Sequence, residues 1–205
     1  MTLWASFMFL ILPFQNDPVR VPAMTKPTID NALSEGEWQA ASKIPLAEGG
    51  YVRIGADAET VYLALGNVPP GRFGFACVFL HLEDRVMVLH ASAQLGSAIY
   101  REKDGQWYPD HEKYEWKVAD RMWREEHWQA GVRPKGTQEF AISRKILGTQ
   151  PVIALGYWLV ENRQERAIPW PDGLDDGTQN LRLLAGFNPG GLQFSPARWV
   201  TLSLP

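Results

Sequence analysis

Glu59-Thr60-Val61-Tyr62-Leu63-Ala64-Leu65 sets Val61, Leu63 and Leu65 at every second position. A period of two puts those three side chains on one face of an extended chain, the pattern of a half-buried β-strand. The same alternation returns in Phe73, Phe75, Cys77 and Phe79, in Val86, Val88 and His90, and in the short piece around Phe140 and Ile142. Residues 152–160 read VIALGYWLV, apolar enough for a strand covered on both faces, and residues 181–187 and 199–204 supply two more runs. Between them lie Glu48-Gly49-Gly50, Pro69-Pro70-Gly71 and Asn188-Pro189-Gly190-Gly191, residues that fix or free φ for turns. Short strands at this spacing predict an all-β fold, an antiparallel β-sandwich of two sheets in the immunoglobulin-like or jelly-roll-like manner.

Residues 112–130 break the alternation. Trp116, Ala119, Trp123 and Ala130 recur at helical spacing with Glu, Lys and Arg between them, and Gly131 and Pro134 follow. That stretch predicts one amphipathic helix inserted between strands, lying across an edge or mouth of the sandwich.

The composition sets the class. A chain of 205 residues, 45% hydrophobic, has the length of one domain and enough apolar side chains to bury a core. Twenty basic against 23 acidic side chains, a net charge of -3, argue against a nucleic-acid partner, which needs a basic field. One cysteine, Cys77, excludes an intramolecular disulfide framework. At the N-terminus residues 3–14 read LWASFMFLILPF. That run is too short to span a membrane but has the length of a signal-peptide apolar segment. Met24 offers a rival start, so residues 1–23 are expected to lie ahead of a single domain at 24–205. A working signal would place the protein outside the cytoplasm, extracellular or periplasmic; a start at Met24 would leave it cytoplasmic.

Catalytic motifs are missing. There is no Gly-x-Ser-x-Gly elbow, phosphate loop or His-Glu-x-x-His helix in the sequence. His81, His90, His111 and His127 do not fall at metal-ligand spacing, and Cys77 on an apolar strand face reads as a buried, inert thiol. The sequence therefore favours a binding protein over an enzyme. Aromatic usage gives the candidate site. Among nine tryptophans, Trp107, Trp123, Trp128 and Trp170, with Tyr108, stand in stretches that read as loop or amphipathic. A flat ring stacks on the C–H face of a sugar while Asp, Gln and Arg bond its hydroxyls. Gln106-Trp107-Tyr108-Pro109-Asp110 and Pro169-Trp170-Pro171-Asp172 combine both, with prolines to stiffen them. The same rings could instead pin loops to the sandwich. Asp172, Asp175 and Asp176, in a stretch that continues to Asn180, are candidate calcium ligands, since calcium takes six to eight oxygens.

Ile29-Asp30-Asn31-Ala32-Leu33-Ser34-Glu35-Gly36-Glu37-Trp38 resembles the opening signature of the family 9 carbohydrate-binding-module-like, or DOMON-like, sandwiches. Asn31 stands where that signature has glycine, a change that positive φ tolerates. Residues 58–64, 139–148 and 195–204 are similar to later strands of the family in the expected order. The resemblance implies a β-sandwich with Trp38 in the core, an oligosaccharide or polysaccharide partner clamped by aromatic rings, and structural calcium. The family's acidic strand, Asp-Asp-x-x-Glu, is replaced here by Phe75-Ala76-Cys77-Val78-Phe79-Leu80-His81-Leu82-Glu83-Asp84. Related sandwiches bind haem through axial Met and His, for which Met87, His90, Met122 and His127 are available. A sugar-binding module is the leading expectation, with a haem or other small-ligand sandwich, or an interaction domain without a small ligand, as alternatives.

Overall fold

The computed structural model describes residues 17–67, 73–92, 94–116, 121–132, 137–161, 164–179 and 191–205. The apolar stretch at 3–14 and the expected strand at 181–187 lie outside them. In chain order the strands are β1 (Val19–Arg20), β2 (Ser42–Pro45), β3 (Tyr51–Ala56), β4 (Thr60–Gly66), β5 (Phe73–Leu82), β6 (Arg85–Ala91) and β7 (Gln94–Lys103). There follow β8 (Gln106–Trp116), β9 (Arg121–Arg124), β10 (Trp128–Val132), β11 (Gln138–Ser143), β12 (Val152–Glu161), β13 (Gln164–Trp170) and β14 (Val200–Ser203). They form a two-sheet β-sandwich. The eight-stranded sheet runs β1-β14-β12-β5-β6-β7-β8 with β13 also on β12, and the six-stranded sheet runs β2-β3-β4-β11-β10-β9. Among the described strands pairing is antiparallel except for β1 on β14, and an isolated bridge of Ala23 to Ala56 is also parallel.

Alternation sorts the side chains as the sequence predicts. Val61, Leu63 and Leu65 of β4 meet Val78, Leu80, Leu89 and Leu155 of the other sheet in the central core, with Phe140 and Ile142 of β11 beside them. Both outer faces are covered as well. The N-terminal segment lays Met24, Ile29 and Trp38 over Tyr62, Ala64 and Ala141 of the smaller sheet. Leu174, Leu192, Phe194 and Trp199 cover Cys77, Phe79, Val88 and Trp158 of the larger one. Gly156 permits this cover, since a Cβ there would fall 2.3 Å from the Trp158 ring and 2.7 Å from the Thr178 carbonyl oxygen.

Two expectations change. The described residues of 112–130 form no helix: 112–116 belong to β8, and 121–124 and 128–132 are β9 and β10. The seven-residue spacing of Trp123 and Ala130, two turns in a helix, is here a cross-strand pair of the β9–β10 hairpin. The helix among the described residues that is more than a 3-10 turn is α1 (Arg144–Leu147), whose start is capped by the Ser143 hydroxyl accepting from the Lys145 amide at 3.3 Å. The packed chain also begins earlier than residue 24. Val19–Arg20 pairs with Leu202–Ser203, and Val21 is buried in the central core.

The decapeptide is tied down by hydrogen bonds. Asn31 has φ of 68°, the glycine-like conformation expected there. Its amide and that of Asp30 donate to the buried Glu139 carboxylate on β11 at 2.8 and 3.0 Å. Trp38 is fully buried, and its carbonyl accepts from the Arg53 guanidinium at 2.7 Å.

Candidate functional site

The aromatic candidates separate by the strand period. Trp107 of β8 faces the covered side of the larger sheet, 5% exposed, packed against Phe194, and its backbone exchanges two 2.8 Å hydrogen bonds with Leu192. Trp123 and Trp128 are 3% exposed and sit 6.1 Å apart across the β9–β10 hairpin in the central core. Trp170 is buried in the same core. These four indoles pack the sandwich; of them Trp128 also lines a concavity of the smaller sheet. The reason is hydrophobic: each occupies an inward position of a strand, where a ring of its size removes the most apolar area from water.

Tyr108 is the exception. One residue after Trp107, it points the other way and is 38% exposed, the one large hydrophobic side chain among the described residues that is strongly exposed. Its backbone pairs with Arg101 on β7, and its hydroxyl donates to the Gln106 side-chain carbonyl at 2.9 Å. Arg101 donates through Nε to Asp110 at 2.9 Å and is ion-paired to Asp84 through Nη1. The ring thus lies on an edge ribbon whose polar side chains are held by one another, beside an open recess of about 700 Å³ lined by residues of β7, β8 and their turn, from Arg101 to Asp110.

A second concavity, of about 220 Å³, lies on the outer face of the smaller sheet. Tyr62 and Ala141 line it from the sheet, Lys26 from the N-terminal segment, and Arg124, Glu125, Glu126, His127, Trp128 and Gln129 from the β9–β10 hairpin. The Tyr62 hydroxyl is engaged, donating to Asp57 at 2.6 Å. Burial opposes ionisation of Asp57. The Tyr62 bond, two backbone amides and the Lys26 charge outweigh it and hold that carboxyl below its ordinary value. The sequence marked Trp128 and His127 singly but not the site as a whole, because its residues come from four separate stretches.

The proposed calcium ligands do other work. Asp176 accepts from the Thr178 amide and hydroxyl through one oxygen, and from the Ser195 amide and the Trp199 indole N–H through the other. Asp175 pairs with Arg198, whose hydrogen bond and charge hold its carboxyl below the ordinary value, and Asp172 caps the Gly173 amide. Among the described residues no group of three His, Cys, Asp or Glu side chains converges as a metal cage. The haem candidates are likewise dispersed. His90 is buried on the covered face of the larger sheet, 2.9 Å from Cys77 Sγ and 2.7 Å from Ser92 Oγ, and burial pushes its imidazole down to about 4. Met87 packs toward the central core, Met122 against the N-terminal cover, and His127 lines the second concavity.

The geometry defines a two-sheet sandwich with both outer faces covered, an aromatic edge ribbon and a polar concavity. The sequence matches no family model and no curated protein. Among solved structures, a family 9 carbohydrate binding module from Caldicellulosiruptor kristjanssonii, in complex with cellotriose, aligns over 91% of this chain and 93% of its own. The two are 11% identical with a TM-score of 0.43. No described helix is long and apolar enough to cross a membrane.

Proposed function

We propose that this chain is a non-catalytic carbohydrate-binding sandwich whose binding surface is the Tyr108 ribbon. One observation carries the reading: a tyrosine ring displayed in the open on a strand pinned at both edges, with Arg101, Gln106 and Asp110 beside it. The ring supplies a flat apolar face for the C–H side of a pyranose, and its neighbours supply donors and acceptors for the hydroxyls. Trp107 contributes from beneath, as the anchor that fixes the ribbon rather than as a stacking plate.

The magnitudes favour weak binding. Covering about 60 Å² of ring and sugar is worth roughly 1.5 kcal/mol. Two or three hydrogen bonds at about 1 kcal/mol each bring the total near 4 kcal/mol, or millimolar affinity. A long polymer would be retained by many such contacts in succession. Affinity electrophoresis through gels containing soluble polysaccharides tests this: the wild type is expected to be retarded by at least one polymer, and Tyr108→Ala to run as in an empty gel. Equal mobility of the two proteins in every polymer gel would refute the assignment.

A further inference from the structure

Gly191 stands opposite Tyr108. Leu192 and Trp107 form an isolated antiparallel bridge and exchange two backbone hydrogen bonds of 2.8 Å. One step along each chain, Tyr108 and Gly191 make the next facing pair, of the kind without hydrogen bonds, in which the Cα atoms come within about 4.5 Å. Gln106, two residues before Tyr108, shares that face, and its amide oxygen accepts from the Tyr108 hydroxyl at 2.9 Å. The hollow in which these two groups meet is the one a side chain at 191 would fill. A Cβ there would overlap the Gln106 amide oxygen and fall 2.7 Å from Gln106 Cβ and 2.9 Å from Tyr108 Cζ. Rotating Gln106 frees only its oxygen. Its Cβ is fixed by the strand, so the ring or the tail would have to move. The φ of Gly191 lies outside the left-handed region, so no turn calls for glycine at this position. Room does.

The other flank of the ring is a wall. Arg101 faces Tyr108 from β7 and is held in place by Asp110 at 2.9 Å and by its ion pair with Asp84. With a tethered guanidinium on one side and a bare Cα on the other, the ring has space only toward the tail. An aromatic ring laid over a cross-strand glycine covers the backbone with one face and leaves the other open. That agrees with a tyrosine that is 38% exposed although backbone flanks its strand on both sides. A ring standing upright between two side chains would show a ligand its edge and hydroxyl, not the face on which sugar C–H groups stack. We infer that Gly191 is a positioning residue for the binding surface, a role that rests on Tyr108 being the stacking plate. Its bare Cα lets the ring lean over the tail and lock its hydroxyl on Gln106, so that a face is turned to the ligand.

The test compares the full chain as wild type, Tyr108→Ala, Gly191→Ala and Gln106→Ala by affinity electrophoresis in gels of hydroxyethylcellulose, xylan and glucomannan. Halving the stacked area of one ring is worth about threefold in dissociation constant, so Gly191→Ala is expected to bind about threefold more weakly or worse. Gln106→Ala, which removes the lock without adding a clash, should fall between it and the wild type. Amide hydrogen exchange at Trp107 and Leu192 reports whether the tail stays docked, and protection is expected to persist in Gly191→Ala. In the free wild type, a nuclear Overhauser contact is expected between the Tyr108 ring protons and the Gly191 Hα; its absence would overturn the inference. Wild-type binding by Gly191→Ala with those amides protected would overturn it and leave the Tyr108 assignment standing. Should the alanine undock the tail, Gln106→Ala decides, and binding equal to the wild type overturns it. A wild type that none of the three polymers retards sinks both.

Discussion

His90 shows how much a single side chain can tell about pH. It is fully enclosed between Phe75, Tyr114 and Cys77, and burial pushes its imidazole down to about 4 from an ordinary 6.5. With the folded value below the unfolded one, the stabilisation is complete above 6.5 and is lost as pH falls through that window toward 4. At about 1.4 kcal/mol per pH unit the loss amounts to roughly 3 kcal/mol. Urea unfolding of the wild type and of His90→Gln, followed between about pH 7 and pH 4, checks this. The wild type should lose the larger share over that range, and parallel curves would remove His90 as the cause. At the same scale, the resemblance carried by residues 29–38 implied the positive φ of Asn31 and the buried Trp38 that the structure has. The sequence did not foresee that Trp107, Trp123 and Trp170 are packed away and that Trp128, in the core, also lines a concavity, because which way a ring faces depends on the strand's register and on what covers the sheet, neither of which is local.

At the scale of elements, the β9–β10 hairpin explains the error over residues 112–130. Trp123 and Ala130 recur at a spacing that both a helix and a tight hairpin bring to one side, and composition alone does not separate the two. The strands with plain alternation, β4, β5 and β6, were legible because both the period and the turn residues near them agreed, and β12 because its unbroken apolar run has the length of a strand covered on both faces. The cover over the larger sheet was not, since it is a segment without period whose order depends on Asp176. Four donors converge on that carboxylate, from Thr178, Ser195 and Trp199. Asp176→Ala leaves them without their acceptor in a partly buried site, at a cost of about 2 kcal/mol or more. Chemical denaturation with added calcium and with a chelator should return the same loss in both. A loss that appears only with calcium would give the aspartate back to a metal.

For the whole molecule, the first and last described strands, β1 and β14, are held together. The Val21 amide donates to the Ser203 carbonyl at 2.9 Å, next to the β1–β14 pairing, and Pro22 and Met24 exchange hydrogen bonds with Ala56 at 3.0 and 2.8 Å. A chain starting at Met24 would lack β1 and the buried Val21, and is expected to be less stable by about 2 kcal/mol or more. Comparing thermal unfolding of proteins that start at residue 17 and at residue 24 measures that difference. Equal midpoints would show that β1 contributes nothing. The sandwich itself was readable because its strands carry their period locally. The ribbon was legible in part, through Gln106-Trp107-Tyr108-Pro109-Asp110; the concavity was not, because its residues come from stretches that only the fold brings together.

The central claim concerns the ribbon. An amide NMR titration of the full chain with neutral oligosaccharides, cello- and xylo-oligomers among them, addresses it residue by residue. The account predicts saturable shifts confined to the β7–β8 ribbon between residues 101 and 110, abolished by Tyr108→Ala. Unmoved ribbon amides across the whole panel, or the same shifts in the alanine variant, would contradict it.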